Sequence, residues 1–224
     1  MSSLAEQIKV AGLADHILSD RQLGRVLGGG DARRYGLVNR ALKDGSLLRV
    51  KRGTYVLGSR YRSTTVHPFG IAQSLVPGSY ISFESALAWH GWIPEGVFTI
   101  ASVSPGRKTL HYETPGFGKF DFHPLALADY CFLTAVDRVE VGKSSVFIAQ
   151  PLRALMDLVA LRKEGWSGLD WLIHGMRIDE AEIASLSRKD FAKLKPVYKH
   201  KAVNSFLAAL EDVVTMVRKA SSHD

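Results

Sequence analysis

The sequence predicts an α+β protein: an N-terminal winged helix-turn-helix followed by an α+β domain with a mostly antiparallel sheet and a helical C-terminal end. Three observations predict it. Residues 19–58 place two short amphipathic helices ahead of a hairpin of β-forming residues. Residues 97–150 hold short β-rich segments separated by turn residues such as Ser104-Pro105-Gly106 and Pro115-Gly116. From Pro151 onward the apolar spacing becomes helical. The polar, aperiodic stretch Ser59 to Thr65 is the expected linker, giving domains at 1–62 and 66–224.

In chain order, Ser3-Leu4-Ala5-Glu6 has the form of a capping box, and Leu4, Ile8 and Ala11 continue it at helical spacing. Ser19 is a good N-cap for a helix carrying Leu23, Val26 and Leu27 on one side. Gly28-Gly29-Gly30 stops that helix, because glycine tolerates the positive φ of a tight turn. Asp31 suits the positive end of the next helix and is expected to cap it, so that helix starts at about Ala32.

The residue types of this next helix separate by face. Leu37, Val38, Ala41 and Leu42 form an apolar stripe, while Arg33, Gly36, Arg40 and Lys43 recur three and four apart on the other side. A recognition helix enters the major groove with its N-terminal residues nearest the bases, and an arginine fork bonds guanine or clamps a phosphate. Arg33 and Arg34 are therefore candidates for base reading, and Asn39 and Arg40 for base or phosphate, with Lys43 further along the same helix. Leu47 to Val50 and Thr54 to Leu57 read as a hairpin, the wing, with Arg49, Lys51 and Arg52 at or near its tip and suited to phosphates or the minor groove. Such units also serve as protein-binding domains, and basic helix faces are often only solvated; here helix, turn and wing all carry charge on the expected side.

Past the linker, a short helix from His67 and a strand at Tyr80-Ile81 precede a helix containing Glu84 to Gly91, for which Ser82 is the expected cap. Strands are expected over 97–103, 109–113, 118–124, 132–141 and 146–150. Pro151 opens a helix with a broad apolar stripe, further helices lie near 169–175, 179–186 and 187–194, and the last runs over about 199–218.

Composition is that of an ordinary globular chain, large enough to bury a core without disulfide or metal. The single cysteine, Cys131, has no internal partner, and no stretch has the length of a membrane span or the form of a cleaved signal, so a cytoplasmic location is expected. Charge is unevenly spread: residues 1–62 hold 12 Lys and Arg against 5 acids, which accounts for the whole net charge of +7 and leaves the remainder neutral. A polyanionic partner is expected at the N-terminal end.

The wing LLRVKRGTYVLG, the helix ESALAWHGW and the segment QPLRALMDLV together resemble the AbiE-type (AbiEi) antitoxins, transcriptional regulators of type IV toxin–antitoxin systems. The family's basic helix falls on Arg33, Arg34, Arg40 and Lys43 and its basic wing on Arg49, Lys51 and Arg52. Its Ser-Ala-Leu and His-Gly pieces fall on Ser85, Ala86, Leu87, His90 and Gly91, and its Pro-x-Arg-Ala-Leu-x-Asp pattern on Pro151, Arg153, Ala154, Leu155 and Asp157; Leu152 stands where an acidic residue is common. The resemblance implies a bacterial abortive-infection antitoxin that represses its own promoter and counters a nucleotidyltransferase-like toxin. The partners it implies are double-stranded promoter DNA with inverted repeats and, functionally, that toxin.

His111 and His123 lie on expected strands near Glu113 and Asp121, yet there is no His-Glu-x-x-His helix, no cysteine cluster and no phosphate loop, so no enzyme activity, cofactor or metal is expected. His90 reads as a capping or packing group. Arg153 and Asp157 stand i and i+4, which fits either a surface ion pair or a buried network. Arg188, Lys189, Lys193, Lys195, Lys199 and Lys201 form a second basic cluster, either a solvated helix junction or a surface for nucleic acid or an acidic partner. The alternative to an antitoxin-repressor is a stand-alone regulator whose second domain senses a ligand or dimerises.

Overall fold

The computed structural model describes residues 3–221 and is α+β, with two sheets and a long C-terminal helix. The chain forms two compact units: one to Pro77 with Glu113–Gly118 and Val139–Val146, the other comprising Gly78–Tyr112, Lys119–Arg138 and Phe147 onward. The first unit extends past the expected boundary at residue 62.

In the first unit, α1 (Leu4–Val10) starts at the expected capping box, with Glu6 Oε2 accepting from the Ser3 amide at 2.8 Å. β1 (Leu18–Ser19) leads directly into α2 (Asp20–Leu27), where Ser19 and Gln22 form a second reciprocal box. Gly28 and Gly29 take left-handed φ values of 59° and 73°, and α3 (Asp31–Lys43) follows. Its N-cap is Gly30, with no side-chain bond. Asp31 is thus the first helical residue rather than the cap, and its carboxylate pairs with Arg34 one turn on, at 2.9 Å.

β2 (Leu47–Lys51) and β3 (Thr54–Leu57) form the expected antiparallel hairpin, with a register shift between Arg49 and Lys51. β1 adds to it, giving the order β1-β3-β2. Leu4, Ile8, Leu18, Leu23, Leu27, Val38, Ala41, Leu47 and Leu57 close a common core with Tyr55. Each leucine so buried contributes about 1.5–3 kcal/mol. The stretch expected as a linker is a 3-10 turn, Ser59–Tyr61, followed by residues tied back to Asp15, whose Oδ1 accepts from the amides of Ser63 and Thr64 at 2.8 and 3.0 Å. Beyond it, α4 (Pro68–Leu75) belongs to the same unit.

The second sheet comprises β4 (Tyr80–Ile81), β5 (Thr99–Val103), β6 (Leu110–Thr114), β7 (Gly118–His123), β8 (Val136–Val141) and β9 (Ser144–Ala149), in the order β6-β7-β5-β4-β9-β8. It is mixed rather than mostly antiparallel. β5 pairs β7 in parallel and β4 pairs β9 in parallel, while β4 and β5 are antiparallel. The physical reason is that each tight hairpin, β6-β7 and β8-β9, joins the sheet through its second strand; turn chemistry fixes the direction within a hairpin but not that of the strand it docks against.

Helices α5 (Phe83–Trp89) and α6 (Pro151–Arg162) pack together in the second unit, and every residue from Leu152 to Val159 is buried. A π-helical turn over Trp171–Gly175, α7 (Glu180–Ser185), α8 (Arg188–Leu194) and α9 (Lys201–Ser221) complete the helical end. α9 buries Val203, Phe206, Leu207, Leu210 and Val214.

Candidate nucleic-acid interface

α3 lies with its apolar stripe inward: Val38 and Ala41 are buried, and Leu37 and Leu42 pack on the same core. That orientation leaves Arg33, Arg40 and Lys43 exposed, as are Arg49 and Arg52 on the hairpin. The eight basic and polar candidates do not share one surface. Arg33 and Arg40 border a groove with Ser3, Leu4 and Gln7 beside α1. Arg34, Asn39, Arg49 and Arg52 line another, of about 780 Å³, between α3 and the hairpin. Lys43 meets Asn39 and Arg49 in a third, shallower one floored by Leu47 and Leu48. Asn39 and Arg49 therefore connect the helix face to the hairpin.

Two candidates are held differently from the rest. The Arg34 side chain is 31% exposed, bonded to Asp31, and packed so closely on α2 that a Cβ at Gly24 would lie 3.0 Å from its Nη1. Lys51 turns away from the hairpin tip, and its Nζ donates to the Leu75 carbonyl at 2.9 Å, where it meets the negative end of α4. Burial lowers the pKa of this amine. The bulge after Arg49 accounts for the difference from expectation, since one extra residue re-aims the side chains that follow it.

Tyr35 was missed by the sequence reading. The residue, 72% exposed, lines the groove with Arg34, Asn39, Arg49 and Arg52. An aromatic residue inside a basic helix and off its apolar stripe was the available signal. Asp20 and Asp31 line the same groove, so its electrostatics are mixed. Burial, then the Asp20 carboxylate, pushes the Tyr55 phenol up and keeps it protonated.

The second unit uses its motif residues internally. Arg153 and Asp157, spaced one helical turn apart, are wholly buried and paired at 2.9 Å. Asp157 also accepts from Tyr80, Ser82 and Tyr198 at 2.9, 2.7 and 2.7 Å. The Ser82 hydroxyl therefore serves this carboxylate and makes no cap bond to α5, the charged acceptor being the stronger one. Arg153 Nη1 donates to the carbonyls of Thr134 and Cys131, and Nη2 to Tyr80. Burial opposes the charge on Arg153, but Asp157 and the two phenol oxygens outweigh it and hold the guanidinium above its ordinary pKa. Burial, then Asp157, drives both phenols well upward, so they remain donors. Of the two readings open in the sequence, the structure has the buried network.

His90 ends α5, and its Nε2 lies 2.9 Å from the Ala149 carbonyl, a packing role. His111 Nδ1 lies 2.8 Å from Asp121 Oδ1, and burial lowers His123; among the described residues no three His, Cys, Asp or Glu are placed to hold a metal ion. In the second basic cluster, Lys195 pairs with Glu211 at 2.8 Å and Lys199 with Asp129 at 3.0 Å, while Arg188, Lys189, Lys193 and Lys201 are exposed. Among the described residues, no helix is long and apolar enough to cross a membrane.

Together these units define an α+β protein with exposed basic side chains on α3 and the hairpin of one unit and a buried polar network in the other. No known family model and no curated protein matches the chain. Its fold is similar to that in the crystal structure of the RV2827C protein from Mycobacterium tuberculosis, with a TM-score of 0.57 and 16% identity over 94% of this chain and 77% of that one. The likeness is one of fold.

Proposed function

We propose that the first unit is a winged helix-turn-helix that binds double-stranded DNA at the promoter of its own gene, with α3 as recognition helix and β2-β3 as wing. The observation that carries this reading is the outward face of α3, where Arg33, Arg40 and Lys43 stand exposed, together with its junction to the hairpin, where Asn39 and Lys43 meet Arg49. A basic helix next to a basic hairpin suits a major groove and the adjoining phosphates. The antitoxin half of the proposal rests on the resemblance of residues 47–58, 84–92 and 150–159 to AbiE-type antitoxins, and gives the protein the task of countering a nucleotidyltransferase-like toxin.

Both halves are tested on one variant. With about five phosphates neutralised per copy, log K for promoter DNA falls against log salt with a slope of about −4 to −5. Reversing Arg33 and Arg40 to Glu together sets carboxylates against phosphate and abolishes binding and repression of a promoter reporter. Growth protection against the toxin encoded by the neighbouring gene, induced separately, is retained. A flat salt dependence removes the DNA half, and a neighbouring gene whose product is harmless removes the antitoxin half.

A second reading is favoured by one feature of the second unit. A pocket of about 430 Å³ has Trp92, Leu152, Leu186 and Leu194 among its walls, with Asp137, Glu182, Asp190 and Lys193 as polar groups. Its size is that of a small-molecule site, as a ligand-sensing regulator requires. A rise in melting temperature with a small ligand, cancelled by Leu152→Trp, supports this alternative.

A further inference from the structure

Three glycines stand inside helices of the first unit, Gly24, Gly36 and Gly70, and two of them have close neighbours. A Cβ at Gly24 would lie 3.0 Å from Arg34 Nη1, and one at Gly70 would lie 2.6 Å from Ser144 Oγ. Gly36 is different. Nothing lies within 4 Å of the Cβ it lacks, and it is absent from the residues of positive φ. Neither packing nor backbone conformation asks for glycine at the middle of this 13-residue helix. Glycine there weakens the helix relative to alanine, and a recurring use of glycine is to let another molecule approach the backbone closely.

Its neighbours say which molecule. Arg33 and Arg40 stand one turn to either side, Tyr35 and Asn39 lie on the adjoining groove, and Arg40 Nε donates to the Gly36 carbonyl at 3.3 Å, holding the guanidinium beside the bare backbone. We infer that Gly36 is the point of closest approach between α3 and the duplex, letting the helix seat deep enough in the major groove for the flanking arginines to reach it. This rests on the DNA-binding reading above. A methyl group at Gly36 lifts the helix away and lengthens the contacts on both sides.

The prediction has opposite signs in two measurements. Gly36→Ala and Gly36→Leu each raise the melting midpoint by about 2–4 °C, because both residues are better helix formers. Both weaken binding to a duplex covering the protein's own promoter, by about tenfold for Ala and more for Leu, with a smaller loss on random-sequence duplex of equal length. Unchanged or tighter promoter binding by the variants overturns the inference while leaving DNA binding in place. A lower melting midpoint also overturns it, by showing that the fold itself requires glycine. If wild-type protein binds neither duplex, the DNA-binding reading falls and this inference with it.

Discussion

Arg40 of α3 and Arg153 of α6 are the same side chain on the same kind of element, one in each unit, and they meet opposite surroundings. Arg40 is exposed and donates to the Gly36 carbonyl one turn back. Arg153 is wholly buried, and all three of its guanidinium nitrogens donate within the unit, to Asp157, Tyr80 and main-chain carbonyls. A cation whose donors face water is available to a partner; one whose donors are used inside specifies a structure. Residues 1–62 carry the entire excess charge, and the neutral remainder contains the buried ion pair of α6.

The largest effect expected from this contrast is on stability. Arg153→Ala leaves the buried Asp157 carboxylate and the Tyr80 hydroxyl without their cation, and lowers the unfolding free energy of the second unit by about 3–5 kcal/mol, read as a shifted urea midpoint. Arg40→Ala changes stability by no more than about 0.5 kcal/mol. Equal effects would dissolve the distinction between the two arginines.

The contrast sharpens within the hairpin, at two adjacent cations. Lys51→Ala loses the hydrogen bond to Leu75 and costs about 0.5–1.5 kcal/mol of stability while leaving the salt slope of DNA binding unchanged. Arg52→Ala leaves stability alone and reduces the slope by about 1. A reduced slope for Lys51→Ala would return that residue to the interface.

The smallest effect is a pH dependence at Asp15. Hydrogen bonds, first from the Ser63 hydroxyl and then from the Thr64 amide, lower its pKa to about 2 from 3.8. Because the folded value lies below the unfolded one, the carboxylate's contribution is complete above about pH 4 and is lost as pH falls toward 2. The melting difference between wild type and Asp15→Asn should therefore be constant above pH 4 and close as pH approaches 2. A difference that persists in full at pH 2 would assign it to something other than this ionisation.

The sequence by itself determined the features whose cause lies within a turn or two of chain. Ser3 with Glu6 and Ser19 with Gln22 form reciprocal caps because the partners are three residues apart, and Gly28-Gly29 makes the α2-α3 turn because φ alone demands it. The inward stripe of Val38 and Ala41, and with it the outward basic face of α3, follows from helical period. Only the tertiary structure decided what depends on distant partners. The destination of Lys51 was set by a carbonyl 24 residues away, and the parallel pairing of β5 with β7 by docking of a whole hairpin. The nature of the Arg153–Asp157 pair was set by Tyr80, Ser82 and Tyr198, between 41 and 77 residues from Asp157. An i,i+4 spacing is the same on a surface and in a core; burial and the supply of remaining donors distinguish the two, and those exist only once the chain has closed around them.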